Sequence, residues 1–229
     1  MAKVLGLFDK AYVINMDSRP DRMGRMKVRL DKLGIEYERF SACVPKEKGF
    51  FPNIGNRGIA RSFLTILKMA RAASTESVLV FEDDAMFRDD FHELWEDFVP
   101  AMSRNSWDII LLGGHIFKFQ KTNIPQVARV LNSTQTHAIG YNRRIYDLLI
   151  AQLSMEKPPP PLRTVEVLIN NTDYVRYCPW PLLSMQEPGM SNLKNRHVGF
   201  SNKYAGAQGF RAGCSDPALR ARRVCGGFL

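Results

Sequence analysis

Val78 to Asp84, four apolar residues followed by three carboxylates, constrain the fold of this chain most strongly. An apolar run as long as Val78 to Phe81 is typical of a strand that is buried on both faces of a sheet. Glu82, Asp83 and Asp84 come next, at the end of the strand where open α/β sheets bind their ligands. Adjacent carboxylates repel one another, and a divalent cation with oxygen ligands, Mg²⁺ or Mn²⁺, would remove that repulsion. A solvated acidic turn is the alternative.

The first forty residues predict a strand, a helix and a second strand. Ala11–Asn15 has the composition of a strand, and Ser18 is placed to cap the following helix with Asp21 as its capping-box partner. The helix pattern ends at Gly34, and 35–40 forms the next strand. Such a unit pairs its strands in parallel with a right-handed crossover. We therefore expect an α/β fold with a mixed, mostly parallel sheet flanked by helices.

The rest of the chain continues this alternation. Apolar spacing predicts further helices and strands, whereas 115–135 is polar and irregular and predicts a loop connection. The predicted helices are 58–73, 87–98 and 143–153, and the predicted strands are 78–81, 108–112, 136–141, 165–169 and 174–178.

Charge and cysteine content limit the classes of partner and compartment. Lysine and arginine exceed aspartate and glutamate by 9, which favours a polyanionic partner: a nucleic acid, an anionic membrane or a nucleoside diphosphate. The four cysteines form no Cys-x-x-Cys pair, and no apolar run could span a bilayer or act as a signal peptide, so we expect reduced thiols in a cytoplasmic protein.

Residues 201–229 are basic and rich in Gly and Ala, which is typical of a weakly ordered tail. A peripheral membrane contact through this tail is the sharper alternative. The domain is therefore predicted to span 1–200.

Six motifs follow one another along the chain: Tyr12 to Arg22, Arg39 to Ala42, Gly58 with Ser62, Val78 to Ala85, Asp108 to Gly114, and Thr136 to Ala138. In this order they resemble the motifs of the family-25 glycosyltransferases, which include lipooligosaccharide and procollagen galactosyltransferases. The resemblance covers roughly residues 10 to 192. Phe63 stands where that family usually has histidine, so the role of that histidine does not carry over.

The resemblance implies a GT-A-like fold and an inverting transfer of a sugar, most often galactose, from a UDP-sugar to a hydroxyl of a glycan or glycoconjugate. It implies Mn²⁺, or Mg²⁺, as the cofactor, held by Glu82 and Asp84. Arginine can also grip phosphate bidentately, which suits Arg22. The residues implied at the donor are Asn15, Asp17, Arg22, Ser41, Ala42, Ser62, Glu82, Asp83, His137 and Gln186.

Glu166 is the candidate general base. A carboxylate inside an apolar strand must be paired or functional, and the resembled family has an acidic residue in a similar context. Asp173 is the alternative base. Either would need a pKa suited to accepting a proton from the acceptor hydroxyl.

Two other function classes are consistent with parts of the sequence. The positive charge would suit a nucleic-acid-binding protein, but the chain has no RNP, helix-turn-helix or zinc-finger signature, so we expect no sequence-specific nucleic-acid partner. The carboxylate cluster would suit a Mg²⁺-dependent nucleotidyltransferase or phosphotransferase, but the chain has no Gly-x-x-x-x-Gly-Lys-[Ser/Thr] loop.

Overall fold

The computed structural model describes residues 3–159, 164–170, 173–191 and 196–198. The predicted tail, 201–229, lies outside the described residues together with Cys214 and Cys225, whereas Cys43 and Cys178 are free thiols. The strands are β1 (Lys10–Asn15), β2 (Glu38–Ser41), β3 (Ser77–Glu82), β4 (Ala85–Phe87), β5 (Ile109–Leu111), β6 (His115–Lys121), β7 (Val127–Thr134), β8 (Ala138–Asn142), β9 (Arg176–Pro179), β10 (Ser184–Gln186), β11 (Gly189–Ser191) and β12 (Arg196–Val198). The helices are α1 (Pro20–Lys32), α2 (Ile54–Ala72), α3 (Phe91–Arg104), α4 (Tyr146–Leu153, after a 3₁₀ turn at Arg143–Ile145) and α5 (Val165–Ile169).

Eight strands form one central sheet in the order β2-β1-β3-β8-β5-β9-β7-β6. The pairs β1–β2, β1–β3 and β5–β9 are parallel, and β7 and β8 run against the other six strands. Two short antiparallel ribbons, β4 with β10 and β11 with β12, lie outside this sheet. The predicted α/β class with a mixed, mostly parallel sheet is confirmed.

The inner strands β1, β3, β5 and β8 of the central sheet are buried on both faces, which explains their continuous apolar runs. On β3, Val78 and Val80 pack into one core with α2, α4 and α5, and Leu79 and Phe81 pack into a second core with α1 and α3. All four side chains are fully buried. Side chains alternate across a strand, so a strand between two helical layers needs apolar residues at every position.

Residues 115–135 are a β-hairpin, so the predicted loop was wrong. β6 and β7 pair antiparallel from His115↔Thr134 to Lys121↔Ala128, with register irregularities around Lys118. The apolar and aromatic residues of β6 are interrupted by lysines at an edge of the sheet, which removes the simple alternation that marks a strand. Cross-strand pairing stabilises the hairpin despite this composition.

Val165–Ile169 is the helix α5, so the predicted strand was also wrong. The Thr164 side chain caps it by accepting a hydrogen bond from the Val167 N–H. Val165, Leu168 and Ile169 are buried in the first core, at the i, i+3 and i+4 spacing of a helix. Packing against neighbouring elements therefore overrides the strand preference of the β-branched residues.

The starts of three helices also differ from the prediction, and α2 begins at Ile54 rather than at 58. α1 begins at Pro20, and Arg19 is its N-cap, without a side-chain hydrogen bond, so Ser18 does not cap the helix. Proline suits the first helical position because its fixed φ is already helical and no N–H is lost from the hydrogen-bond ladder. Strand β4 occupies Ala85–Phe87 and delays α3 to Phe91.

None of the helices in the described ranges is long and apolar enough to cross a membrane.

Two helical glycines give a matched test of how the loop after β2 is held. A Cβ at Gly58 would lie 2.6 Å from the Cys43 carbonyl oxygen, whereas a Cβ at Gly24 would meet nothing within 4 Å. We expect Gly24→Ala to stabilise the protein by about 0.5–1 kcal/mol through helix propensity. Gly58→Ala should destabilise it, because α2 and the 43–45 loop must separate. Urea unfolding of the two variants measures both effects, and equal changes would contradict the close approach.

Candidate functional site

The predicted site residues converge where three parallel strands end. In the sheet register, Asn15 on β1 lies beside Ser41 on β2, and Ile14 lies beside Glu82 on β3. Asp83 and Asp84 follow β3 immediately, and α1 begins five residues after Asn15. The parallel pairing therefore brings the residues of three separate motifs to one edge of the sheet, as the sequence predicts.

Asp83 is held by two donors. The Asn15 side-chain amide donates to Asp83 Oδ2 at 2.7 Å, and Arg22 Nη1 donates to Asp83 Oδ1 at 3.0 Å. Asn15 is itself fixed, because its Oδ1 accepts a hydrogen bond of 3.1 Å from Arg39 Nε. Asp83 is 7% exposed, so its charge is compensated within the protein.

Asp84 is only half satisfied. Its Oδ2 accepts hydrogen bonds from Gln186 Nε2 at 3.1 Å and from Arg22 Nη1 at 3.4 Å. Its Oδ1 is buried and has no hydrogen-bond partner among the described residues. Burial raises the pKa of Asp84, and Arg22 opposes that rise. A buried carboxylate oxygen without a partner is rare, because it keeps the full cost of desolvation.

Glu82 precedes Asp83 and Asp84 and is half-buried. The Thr136 hydroxyl donates to Glu82 Oε1 at 2.7 Å. Burial first, and then the charge of Asp84, raise the pKa of Glu82 to about 8. Three carboxyl groups in one place therefore do not all ionise readily at neutral pH without a cation.

The raised pKa of Glu82 gives a prediction about stability and pH. The carboxyl ionises near pH 4.5 in the unfolded chain and near pH 8 in the folded one. Between these values the unfolded state releases the proton first, so the free energy of unfolding falls as the pH rises. We expect Glu82→Gln to abolish this fall in the free energy of unfolding. At pH 8 the variant should be more stable than the wild type by on the order of a few kcal/mol. Urea unfolding of both proteins from pH 5 to 8 tests this, and parallel curves would contradict it.

A cavity of about 230 Å³ opens beside the carboxyl groups. Glu82, Asp83, Asp84, Arg22 and Gln186 form its polar side, and mostly apolar residues of β1, the β2–α2 loop and α2 form the rest. The remaining lining residues are Ile14, Met16, Ala42, Cys43, Val44, Pro45, Ile54, Gly55, Gly58, Ile59 and Ser62. The cavity is therefore acidic at one end and apolar at the other.

Ser62 lines this cavity, whereas Asp17 is not among its lining residues. The Ser62 hydroxyl donates to Gly58 O and accepts from the Cys43 N–H, each at 2.9 Å, so it holds the loop that follows β2. Asp17 accepts hydrogen bonds from Ser41 Oγ and from Arg39, and these lower its pKa. Asp17 and Arg39 instead line a neighbouring hollow beside Asn15.

His137 lies beneath the site rather than on its surface. It is 1% exposed, and burial lowers its pKa to about 4, so the imidazole is neutral at physiological pH. A Cβ at Gly113 would lie 2.3 Å from His137 Nε2, which explains the glycine. His137 is absent from the described lining of the cavity, and its contact with a donor stays a prediction.

Glu166 and Asp173 occupy different positions relative to the site. Glu166 lies half-buried in the first turn of α5, and its charge contributes to the raised pKa of Glu82. Asn170 caps the C-terminus of α5, and its Oδ1 accepts a hydrogen bond of 2.9 Å from the Ser133 N–H. This bond connects α5 to the end of β7. Asp173 is exposed. The strand that first suggested Glu166 is absent, but its position near Glu82 keeps it the stronger candidate for the base.

The sequence analysis missed three contributors to the site: Arg39, Thr136 and Gln135. Arg39 and Thr136 fall inside recognised motifs, which could have indicated them. Gln135 carries no comparable signal, because it matches no motif and lies between β7, which the sequence did not predict, and β8.

The carboxyl groups fit a metal that is shared with a bound ligand better than one held by the protein alone. No group of three or more His, Cys, Asp or Glu side chains that could hold a metal occurs in the described part of the chain. Mg²⁺ in proteins is commonly bound by one or two carboxylates together with substrate phosphates. Asp84 Oδ1 and the second oxygen of Glu82 suit such a partly open site.

Comparisons with known proteins give distant structural similarities. No family model matches the chain, and no curated protein matches it. It is similar to a glycosyltransferase involved in the glycosylation of the major capsid of PBCV-1 (12% identity, TM-score 0.44, 66% of this chain and 67% of that chain). It is also similar to A197 from STIV (13%, 0.46, 85% and 94%) and to the inositol-1-phosphate CTP transferase from T. maritima (14%, 0.37, 81% and 74%). Similarities this distant do not assign an activity, and membership of the family-25 glycosyltransferases stays a prediction.

Proposed function

We propose that this chain is a metal-dependent inverting glycosyltransferase that moves a sugar, by resemblance galactose, from a UDP-sugar to a hydroxyl of a glycan or glycoconjugate. The observation that carries the proposal is the buried, unpartnered Oδ1 of Asp84 at the acidic end of a cavity formed where parallel strands end. The same carboxyl groups would suit a Mg²⁺-dependent nucleotidyltransferase, but the chain has no Gly-x-x-x-x-Gly-Lys-[Ser/Thr] loop to favour that alternative.

The charge of the cavity supports a cation-bridged anionic ligand. Among its described lining residues, Arg22 faces three carboxyl groups, so a diphosphate alone would be repelled. Arg22 Nη1 also forms ion pairs with Asp83 and Asp84. A divalent cation would offset the repulsion and, when bound, would stabilise the negative charge that develops on the departing diphosphate. Asp84 and Glu82 would hold it, and Arg22 and Gln186 would orient Asp84.

The apolar end of the cavity suits a nucleobase. Ile14, Ala42 and Ile59 contribute apolar surface, and Gly58 packs closely on Cys43 in the same wall. Ser41, Asp17 and Arg39 form a polar network beside it that suits ribose hydroxyls. A ligand with an apolar ring at one end and phosphates at the other therefore matches the distribution of polarity.

Inversion requires one displacement and one base. In the proposed step the acceptor oxygen forms a bond to the anomeric carbon while the bond from that carbon to the diphosphate oxygen breaks. The acceptor proton passes to a carboxylate oxygen of Glu166, and the electron pair of the broken bond leaves on the diphosphate. The carboxylate must lie within hydrogen-bond reach of the acceptor hydroxyl for this transfer.

A hydrolysis screen tests the proposal. The purified protein is incubated with Mn²⁺ and a panel of UDP-sugars without acceptor, and free sugar and UDP are measured. We expect slow hydrolysis of one or a few donors that stops in EDTA. Release of UMP with sugar phosphate, or pyrophosphate release from nucleoside triphosphates, would instead indicate phosphotransfer or nucleotidyl transfer.

A further inference from the structure

Gln135, between β7 and β8, has a strained backbone close to the carboxyl groups. Its φ is +69°, in the left-handed region that residues other than glycine seldom occupy. Such strain persists only where surrounding contacts determine the conformation, and it often accompanies functional sites. Gln135 is half-buried, and its side chain points toward Gln186 rather than into solvent.

The side-chain amides of Gln135 and Gln186 form a relay to Asp84. Gln135 Nε2 donates to Gln186 Oε1 at 3.2 Å, and Gln186 Nε2 donates to Asp84 Oδ2 at 3.1 Å. An ionised carboxylate only accepts hydrogen bonds, so Gln186 must turn its NH₂ group toward Asp84. Its carbonyl oxygen then needs a donor on the opposite side, and Gln135 supplies it.

We propose that Gln135 is a positioning residue for Asp84. By fixing the amide orientation of Gln186, it holds Asp84 Oδ2 in place and leaves Oδ1, which is buried, without a partner among the described residues. That Gln135 fixes the orientation of Gln186 follows from the hydrogen bonds alone. The effect of Gln135 on metal binding at Asp84 rests on the proposed function. Outer partners of this kind orient the groups that bind metals.

The chain offers a matched control for Gln135. Gln126, at the opposite end of β7, is also a glutamine at positive φ, +58°, but it is exposed at the hairpin turn. Gln135→Leu and Gln126→Leu each replace a left-handed glutamine by an apolar residue of similar size. Gln135→Gly removes the amide and relieves the backbone strain, so it keeps the test valid if Gln135→Leu does not fold.

The experiment has two readouts in the full chain. The first readout is the rate at which the side-chain amide protons of Gln186 exchange with solvent, measured by NMR. The Gln186 signal is identified by its absence from the spectrum of Gln186→Leu. We expect exchange to rise on the order of 3- to 10-fold, the weight of one hydrogen bond, in both Gln135 variants and to stay unchanged in Gln126→Leu. The second is the Mn²⁺-dependent affinity for UDP, which should fall by a similar factor in the Gln135 variants.

A double-variant cycle separates a relay from a local structural effect. Gln135→Leu should have no further effect on UDP affinity in a Gln186→Leu background, because it acts through Gln186. Unchanged Gln186 exchange in both Gln135 variants would overturn the proposal, and so would additive losses in the cycle. If wild-type protein binds no UDP with Mn²⁺, the proposed function fails, and the amide exchange alone decides the role of Gln135.

Discussion

Asp84→Asn is expected to abolish the Mn²⁺-dependent part of UDP binding while leaving the fold intact. Asparagine keeps the shape of the side chain and an oxygen that can accept from Gln186, but it removes the negative charge and the carboxylate oxygen that has no partner among the described residues. Outer-sphere partners of metals contribute roughly 10- to 100-fold to affinity, and the loss of a direct ligand should exceed this. Calorimetric titration of UDP with Mn²⁺ and with EDTA measures the effect.

The same substitution makes an independent prediction about stability. The pKa of Asp84 is raised by burial, so its ionised form is unfavourable in the folded protein. Asp84→Asn should therefore unfold in urea at the wild-type concentration or higher. Asp89→Asn, which changes an exposed aspartate paired with Lys32, is the control and should bind UDP like the wild type. Wild-type affinity in Asp84→Asn would contradict a metal held by this residue.

Glu166→Gln is expected to lower sugar transfer by on the order of 10²–10⁴-fold, the usual weight of a positioned proton transfer. Donor binding should survive, because Asp84, Glu82 and Arg22 remain in place, and losing the Glu166 charge favours the ionised form of Glu82. The relevant measurements are kcat for transfer to acceptor and, separately, the affinity for UDP with Mn²⁺. A parallel loss of both would indicate a structural role for Glu166.

Asp147→Asn is the matched control for Glu166→Gln, since Asp147 lies on the neighbouring helix α4, pairs with Arg71 and is 85% exposed. It should transfer sugar at the wild-type rate. If Glu166→Gln keeps transfer within a few-fold, Glu166 is not the base, and Asp173→Asn becomes the next variant to measure. Unfolding of Glu166→Gln would show that the carboxylate stabilises α5 instead.

The sequence predicted the part of the fold that depends on strong local patterns. The runs Ala11–Asn15 and 78–81 became β1 and β3, because a strand buried on both faces needs apolar residues at each position. The helix after 11–15 predicted the parallel pairing of β1 with β2, and the parallel pairing of β1 with β3 that the structure adds brings Asn15 and Glu82 to one edge. The predicted meeting of the early motifs with the acidic triplet followed from this topology.

The rest depends on contacts between distant segments, which local patterns do not encode. Val165–Ile169 has β-branched residues, yet packing against α2 and β7 selects a helix, so the strand argument for Glu166 did not hold. The β6–β7 hairpin has charged residues at a sheet edge and an irregular register, and its sequence predicted a loop. Gln135 follows the last residue of that hairpin and matches no motif, so its relay to Asp84 became visible only in three dimensions.

The most direct test of the central proposal, a metal-bridged nucleoside diphosphate at Glu82 and Asp84, is a thermal-unfolding matrix of the wild-type protein. Unfolding temperatures are recorded with UDP, with Mn²⁺, with both, and with UDP in EDTA. Ligands that bind the native state raise the unfolding temperature by mass action. We predict that UDP with Mn²⁺ gives a shift larger than the sum of the separate shifts. Equal shifts by UDP in Mn²⁺ and in EDTA, or none in either, would contradict the proposal.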